Sequence, residues 1–151
     1  MSDLSDLYQE LIVDHSRRPR NFRILDNADQ KVEGHNPLCG DRVTIFLQYK
    51  NEKVKDVSFQ GSGCAISTAS ASLLTETLRG KTREEARAIF DRVHAMLTKG
   101  EGSAEDLEEL GKLAVFSGVC QYPSRVKCAS LAWHTAKSAW ESHTPDVVST
   151  E

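Results

Sequence analysis

The hydrophobic pattern of this chain changes its period near Cys64, which limits the folds that it can adopt. Before Cys64, apolar and polar residues alternate over residues 42–49 and again over 56–60, a two-residue period that predicts β-strands. The polar residues 50–52 between them predict the turn of a hairpin, and a further strand around residues 31–35 could join its edge. This part of the chain is therefore predicted to supply a small antiparallel sheet.

Helical patterns lie on both sides of these strands. Apolar residues at helical spacing predict a first helix over residues 3–16, which ends at the Arg-Arg-Pro-Arg run from Arg17. From Cys64 the chain is rich in Ala and other small residues and closes with Gly80, which predicts a second helix. Three more helices are predicted to follow, and their capping residues are Thr82, Ser103 and Ser124.

The order of these elements predicts the fold class. Strands followed by a run of helices favour an α+β fold, with a small antiparallel sheet of about three strands packed against several helices. The length of 151 residues is that of one ordinary domain, and the chain contains no linker or internal repeat. Residues 1–143 are therefore predicted to form a single domain, and residues 144–151 a disordered tail.

The composition argues against several classes of function. Lys and Arg number 19 against 22 Asp and Glu, and the net charge of −3 offers no basic surface for nucleic acid or for an anionic membrane. The N-terminus lacks the pattern of a secretion signal, and the longest uncharged stretch, residues 59–75, has too few Leu, Ile and Val for a membrane span. We therefore expect a cytoplasmic protein that acts with a protein partner or a small species.

Cysteine is the residue type that indicates chemistry. In a reducing compartment, the four cysteines suit metal ligation or thiol chemistry better than a disulfide framework. Cys39 and Asp41 lie two residues apart in a turn before a strand, where a thiolate and a carboxylate could form half of a metal site. Cys64 opens one helix and Cys128 lies early in another beside Lys127, and both settings favour a thiolate. Three thiolates and a carboxylate suit tetrahedral zinc, and thiolates also suit iron–sulfur chemistry.

The spacing of these residues alone leaves other interpretations open. The chain has no CxxC pair, and any one cysteine could be a small buried hydrophobe, which is our interpretation of Cys120. His35 is an alternative ligand because it lies four residues before Cys39. Two of the remaining histidines, His94 and His134, are predicted to be hydrogen-bonded structural or surface residues within helices, and His15 and His143 to be solvated near the ends of the chain.

Four segments of the chain carry a resemblance to a known family: LYQELIVDHSRRPRNF, NPLCGD, GSGCAISTASAS and YPSRVKCASLAW. With these segments in this order, the chain resembles the U-type iron–sulfur cluster assembly proteins, the IscU/NifU family, and within it the SufU branch. The resemblance implies a SufE/NifU-like α+β fold, one metal site, and a cysteine desulfurase as the sulfur donor. By position in the motifs, it implies that the metal ligands are Cys39, Asp41, Cys64 and Cys128.

Two features resemble the SufU branch more than a cluster scaffold. Lys127 stands where IscU-like proteins have a histidine directly before the last cysteine, and lysine is a poor ligand at neutral pH. Residues 121–125 stand in place of a chaperone-binding Leu-Pro-Pro-Val-Lys segment, within a stretch that is longer than in scaffolds. The resemblance therefore implies a zinc-dependent sulfurtransferase, if the protein is an enzyme. We predict Cys39 as its sulfur acceptor and the downstream iron–sulfur assembly machinery as the recipient.

Two alternatives stay open at this point. The protein could be a scaffold that assembles a nascent [2Fe–2S] cluster and hands it on, with iron or a cluster in place of zinc. Lys127 is the residue that argues against a scaffold. The protein could also carry a purely structural zinc ion, because the free energy of metal binding is also free energy of folding.

Overall fold

The structure is a computed structural model that describes residues 3–37, 40–99, 110–116, 119, 122–141 and 147–149. Within these residues the helices are α1 (Asp3–Arg17), α2 (Ala65–Leu78), α3 (Arg83–Lys99) and α4 (Pro123–Glu141), with a 3₁₀ helix at Gly111–Phe116. The strands are β1 (Gln30–Asn36), β2 (Asp41–Lys50), β3 (Lys53–Ser62) and β4 (Val147–Ser149). None of the helices described is long and apolar enough to cross a membrane.

The strands form one sheet in the order β3-β2-β1-β4. β2 pairs antiparallel with β1 on one side and with β3 on the other, which confirms the predicted three-stranded antiparallel sheet. Asn51 and Glu52 turn the β2–β3 hairpin with φ angles of 53° and 66°, the left-handed values that a tight two-residue hairpin turn requires. The alternating pattern and the polar turn therefore predicted this hairpin correctly.

Residues 147–149 are the described part of the segment 144–151, whose disorder stays a prediction. Val147–Ser149 forms β4, which pairs in parallel with residues 33–35 of β1. The free edge of β1 offers backbone N–H and C=O groups that a passing segment can satisfy. A strand of three residues has no hydrophobic period of its own, so the sequence pattern could not predict it.

The hydrophobic core lies between one face of the sheet and the helices. α2 packs on β3 and α4 packs on β1 and β2, while α1 and α3 contact α2 and α4 respectively. Gly34 in β1 brings the sheet and α4 close together, because a Cβ atom there would lie 1.9 Å from Thr135 Oγ1 and 3.2 Å from Leu131 Cδ1.

The helix boundaries confirm one of the three predicted N-terminal caps and contradict another. Thr82 and Glu85 exchange reciprocal hydrogen bonds of 3.1 Å at the start of α3, which confirms the capping box. The prediction of Ser124 as a cap is wrong, because α4 begins at Pro123 and the Tyr122 carbonyl accepts its first hydrogen bonds. Proline suits that position because it has no N–H to satisfy. The helix predicted from Ser103 lies largely outside the described residues.

Candidate metal centre

Three of the four predicted ligands meet at one end of the sheet. One ligand atom from each of Asp41, Cys64 and Cys128 lies within 4.8 Å of the other two. Asp41 is the first residue of β2, Cys64 directly precedes α2, and Cys128 lies in the second turn of α4. Asp41 and Cys128 are each only 1% exposed, while Cys64 is partly buried. The site is therefore built by three separate elements and faces the helical layer.

Cys39 and Cys120 lie outside the described residues. Cys39 precedes Asp41 by two residues and belongs to the connection between β1 and β2. Its role as a fourth ligand stays a prediction, as does the absence of a role for Cys120.

The Asp41 carboxylate is held by its neighbour at the start of α2. Asp41 Oδ1 accepts a hydrogen bond of 3.0 Å from the Cys64 backbone N–H. The other oxygen, Oδ2, lies 4.0 Å from Cys64 Sγ. Gly63 provides room for this carboxylate, because a Cβ atom at residue 63 would lie 2.6 Å from Oδ1. Sequence reasoning missed Gly63, although the glycines of the GSGC segment were visible beside the cysteine.

Cys64 occupies the N-cap position of α2. Its backbone is extended, and its Sγ accepts a hydrogen bond from the Ser67 N–H at 3.4 Å, as a Ser or Asp oxygen does at this position. The first turn of α2 contains no acidic residue. Because Cys64 caps α2, the positive end of the helix dipole lies beside the three converging side chains and favours negatively charged ligands there.

This donor set fits a zinc ion. Two sulfurs and a carboxylate oxygen are ligands that zinc accepts, and a tetrahedral ion with Zn–S bonds of about 2.3 Å places its ligand atoms roughly 3.8 Å apart. The atoms described here would have to approach one another by no more than about 1 Å to reach that spacing. The space left by the missing Cβ of Gly63 allows the carboxylate to take part.

The alternative ligand His35 is on the wrong face of the sheet. In the β1–β2 register, Asn36 lies opposite Asp41 and His35 lies opposite the exposed Arg42. Neighbouring residues of a strand point to opposite faces, so His35 points away from the Asp41 carboxylate. The suggestion that His35 is a ligand to the same ion is therefore wrong.

The other described histidines are structural. His15 was predicted to be solvated, but it is 1% exposed and its Nδ1 lies 2.7 Å from Ser72 Oγ. Burial lowers the pKa of His15. His94 and His134 are half-buried with their rings 5.5 Å apart, and burial also lowers the pKa of His134. His94 and His134 therefore lie within helices, as predicted, whereas the prediction that His15 is solvated is wrong.

Comparison with known proteins decides the family. The model of the NifU-like N-terminal domain matches residues 7–129, a span that includes Asp41, Cys64 and Cys128. This chain belongs to the NifU-like N-terminal domain family. The resemblance seen in the four sequence segments is therefore confirmed.

The similar proteins include one named as a cluster scaffold and one named as a sulfurtransferase. The chain is 39% identical to an iron–sulfur cluster assembly scaffold protein IscU of Streptococcus pyogenes serotype M1, over 92% of this chain and 86% of that protein. It is 36% identical to the zinc-dependent sulfurtransferase SufU of Bacillus subtilis, over 87% and 88% of the two chains.

A solved structure supports the fold. The crystal structure of a putative iron–sulfur cluster assembly scaffold protein for the SUF system from Fervidobacterium islandicum matches with a TM-score of 0.81 and 37% identity. The match covers 87% of this chain and 95% of that one, which confirms the α+β fold over nearly all of the domain.

Proposed function

We propose that this protein acts in iron–sulfur cluster assembly as a zinc-bound sulfur acceptor, which takes persulfide sulfur from a cysteine desulfurase in the cytoplasm. The observation that carries the proposal is the convergence of Asp41, Cys64 and Cys128 in a chain of this family. One relative, the SufU of Bacillus subtilis, is named as a zinc-dependent sulfurtransferase. Lys127, next to Cys128, also argues for this role over that of a cluster scaffold.

In this proposal, each ligand has a distinct part. Cys64 and Cys128 are anchored at the start of α2 and within α4, so they would hold the ion in place. Asp41 and Cys39 would complete the set of four. Bound zinc would keep the thiols deprotonated and shielded from oxidation until the desulfurase arrives.

Cys39 is the proposed sulfur acceptor. Its thiolate attacks the outer sulfur of the desulfurase persulfide, the old S–S bond breaks, and the desulfurase cysteine leaves as a thiolate. One S–S bond is exchanged for another, so the step needs no oxidant or reductant. Cys39 belongs to the connection between two strands, while Cys64 caps a helix and Cys128 is buried in one. Moving Cys39 away from the ion would therefore disturb the fold least.

The proposal is tested by locating the transferred sulfur. The purified protein is incubated with a cysteine desulfurase and cysteine, and mass spectrometry of its peptides finds any added sulfur atom. We expect the persulfide on Cys39, its loss in Cys39→Ser, and no change in the matched variant Cys120→Ser. Persulfide only on Cys64, Cys120 or Cys128 would refute Cys39 as acceptor, and no persulfide anywhere would favour a structural zinc site.

A second candidate, a scaffold for a nascent [2Fe–2S] cluster, is favoured by the names of the Streptococcus pyogenes and Fervidobacterium islandicum relatives. Metal analysis and a visible spectrum of freshly purified protein separate the two functions. Colourless protein that holds one zinc per chain supports the sulfur acceptor. Brown protein that contains iron and sulfide supports the scaffold, whose cluster would then be passed to the downstream assembly machinery.

A further inference from the structure

We infer that Gly63 and the backbone amide of Cys64 together orient the Asp41 carboxylate, so that it reaches the metal through the single oxygen Oδ2. The inference rests on the metal site of the proposed function and assigns a positioning role to two groups that are not ligands. It concerns how firmly the ion is held, and it does not depend on which cysteine accepts sulfur.

The first step of the argument is the unequal surroundings of the two carboxylate oxygens. Asp41 is 1% exposed, and its Oδ1 accepts the Cys64 N–H at 3.0 Å. A hydrogen bond to a buried carboxylate is charge-assisted and therefore strong. Oδ2 is the oxygen that faces Cys64 Sγ, at 4.0 Å. One residue, Cys64, thus holds Oδ1 with its backbone and places a sulfur beside Oδ2.

The second step is the space that Gly63 leaves for this arrangement. A Cβ atom at residue 63 would lie 2.6 Å from Asp41 Oδ1, 3.1 Å from Cγ and 3.3 Å from Cβ. All three nearest atoms belong to the Asp41 side chain, and Gly63 does not have a positive φ angle that other residues would avoid. An added methyl group would therefore displace the carboxylate while leaving the backbone conformation accessible.

Gly61 shows the contrasting case in the same segment. A Cβ atom at residue 61 would lie 2.1 Å from the Arg42 carbonyl oxygen, and Gly61 has a φ angle of +157°. Substitution of Gly61 would thus disturb the pairing of β2 and β3 itself. Only at Gly63 is the crowding confined to the candidate ligand.

The consequence concerns metal exchange. A carboxylate bound through one oxygen is the hardest donor among soft sulfur ligands and the one most easily exchanged. Groups that orient a ligand without binding the ion typically change metal affinity by roughly 10- to 100-fold when they are altered. We therefore expect Gly63→Ala to release zinc faster by a factor in that range, with the two described cysteines still in place.

The test compares zinc release to a colorimetric chelator, and the visible spectrum of the cobalt-substituted protein, in a set of variants of the full chain. Gly63→Ala should speed zinc release and shift the cobalt bands. In the Asp41→Ala background the same change should have little effect, because the displaced group is gone. The exposed neighbour Ser62→Ala is the matched control and should behave as the wild type.

A second variant tests the orientation without relying on Gly63. In Asp41→Asn, the Cys64 N–H still requires an oxygen at the Oδ1 position, so the amide nitrogen should occupy the Oδ2 position and cannot bind the ion. We expect this variant to fold and to release zinc as fast as Asp41→Ala. Release at the wild-type rate would overturn the inference.

Two other results would also overturn it: unchanged release and spectrum in Gly63→Ala, or equal acceleration in the Asp41→Ala background. A wild-type protein that binds no zinc would refute the proposed function as well. Failure of sulfur transfer to Cys39, with the coupling between Gly63 and Asp41 intact, would refute only the proposed function.

Discussion

A single buried hydroxyl group is expected to hold α1, α2 and the segment after α1 together. Ser72 in α2 is fully buried, and its Oγ lies 2.8 Å from the Arg20 backbone nitrogen and 2.7 Å from His15 Nδ1. The Arg20 N–H can only donate, so the Ser72 O–H is free to donate to His15 Nδ1. The hydroxyl therefore satisfies one group from α1 and one from the segment that follows it.

The change Ser72→Ala should leave both of these groups without their partner. A buried polar group that loses its hydrogen bond destabilises the folded state by about 1–3 kcal/mol. His15 is buried and Arg20 only partly buried, so the second loss should lie at the low end of this range, and together the two should lower the free energy of unfolding by roughly 2–4 kcal/mol. Ser70→Ala is the matched control on the same helix. Ser70 is also fully buried, but its Oγ makes one hydrogen bond of 2.5 Å, to the Ala129 carbonyl within α4. We expect a loss of about 1 kcal/mol there.

Urea unfolding followed by circular dichroism measures both losses. All variants should be compared with a chelator present, because bound metal adds its own stabilisation to the folded state. If Ser72→Ala is no more destabilising than Ser70→Ala, then the hydroxyl does not join these elements and the reasoning is refuted.

Further predictions concern pH, packing and ligands. Burial lowers the pKa of His134 below its ordinary value of 6.5, so the stability linked to this residue is complete above that pH and is lost as the pH falls below it. In urea unfolding between about pH 8 and pH 5, the free energy of unfolding should therefore fall less steeply in His134→Gln than in the wild type. Gly34→Ala places a methyl group 1.9 Å from Thr135 Oγ1 and should destabilise the fold by about 1–3 kcal/mol, part of which Thr135→Ala should restore in thermal melting. Cys128→Ser should lose bound zinc and Cys120→Ser should keep it in metal analysis, and the reverse result would refute the ligand assignment.

Local patterns in the sequence were sufficient for most of the secondary structure. The alternation over residues 42–49 and 56–60, the turn at residues 50–52 and the capping box at Thr82 all involve groups within a few residues of one another. Such groups are close in space because they are close in sequence, so their pattern predicts local structure without knowledge of the fold. The motif residues also identified the candidate ligands, because a family motif indicates which of its positions bind the metal.

Only the tertiary structure decided how those residues are arranged. Asp41 and Cys64 are 23 residues apart, and they meet because the antiparallel register of β2 and β3 brings the start of β2 to the end of β3. The register of β1 and β2 turns His35 away from Asp41. His15 is buried where α1 packs against α2, and its partner Ser72 lies 57 residues further along the chain. Strand register and helix packing depend on contacts between distant parts of the chain, which a local period does not contain.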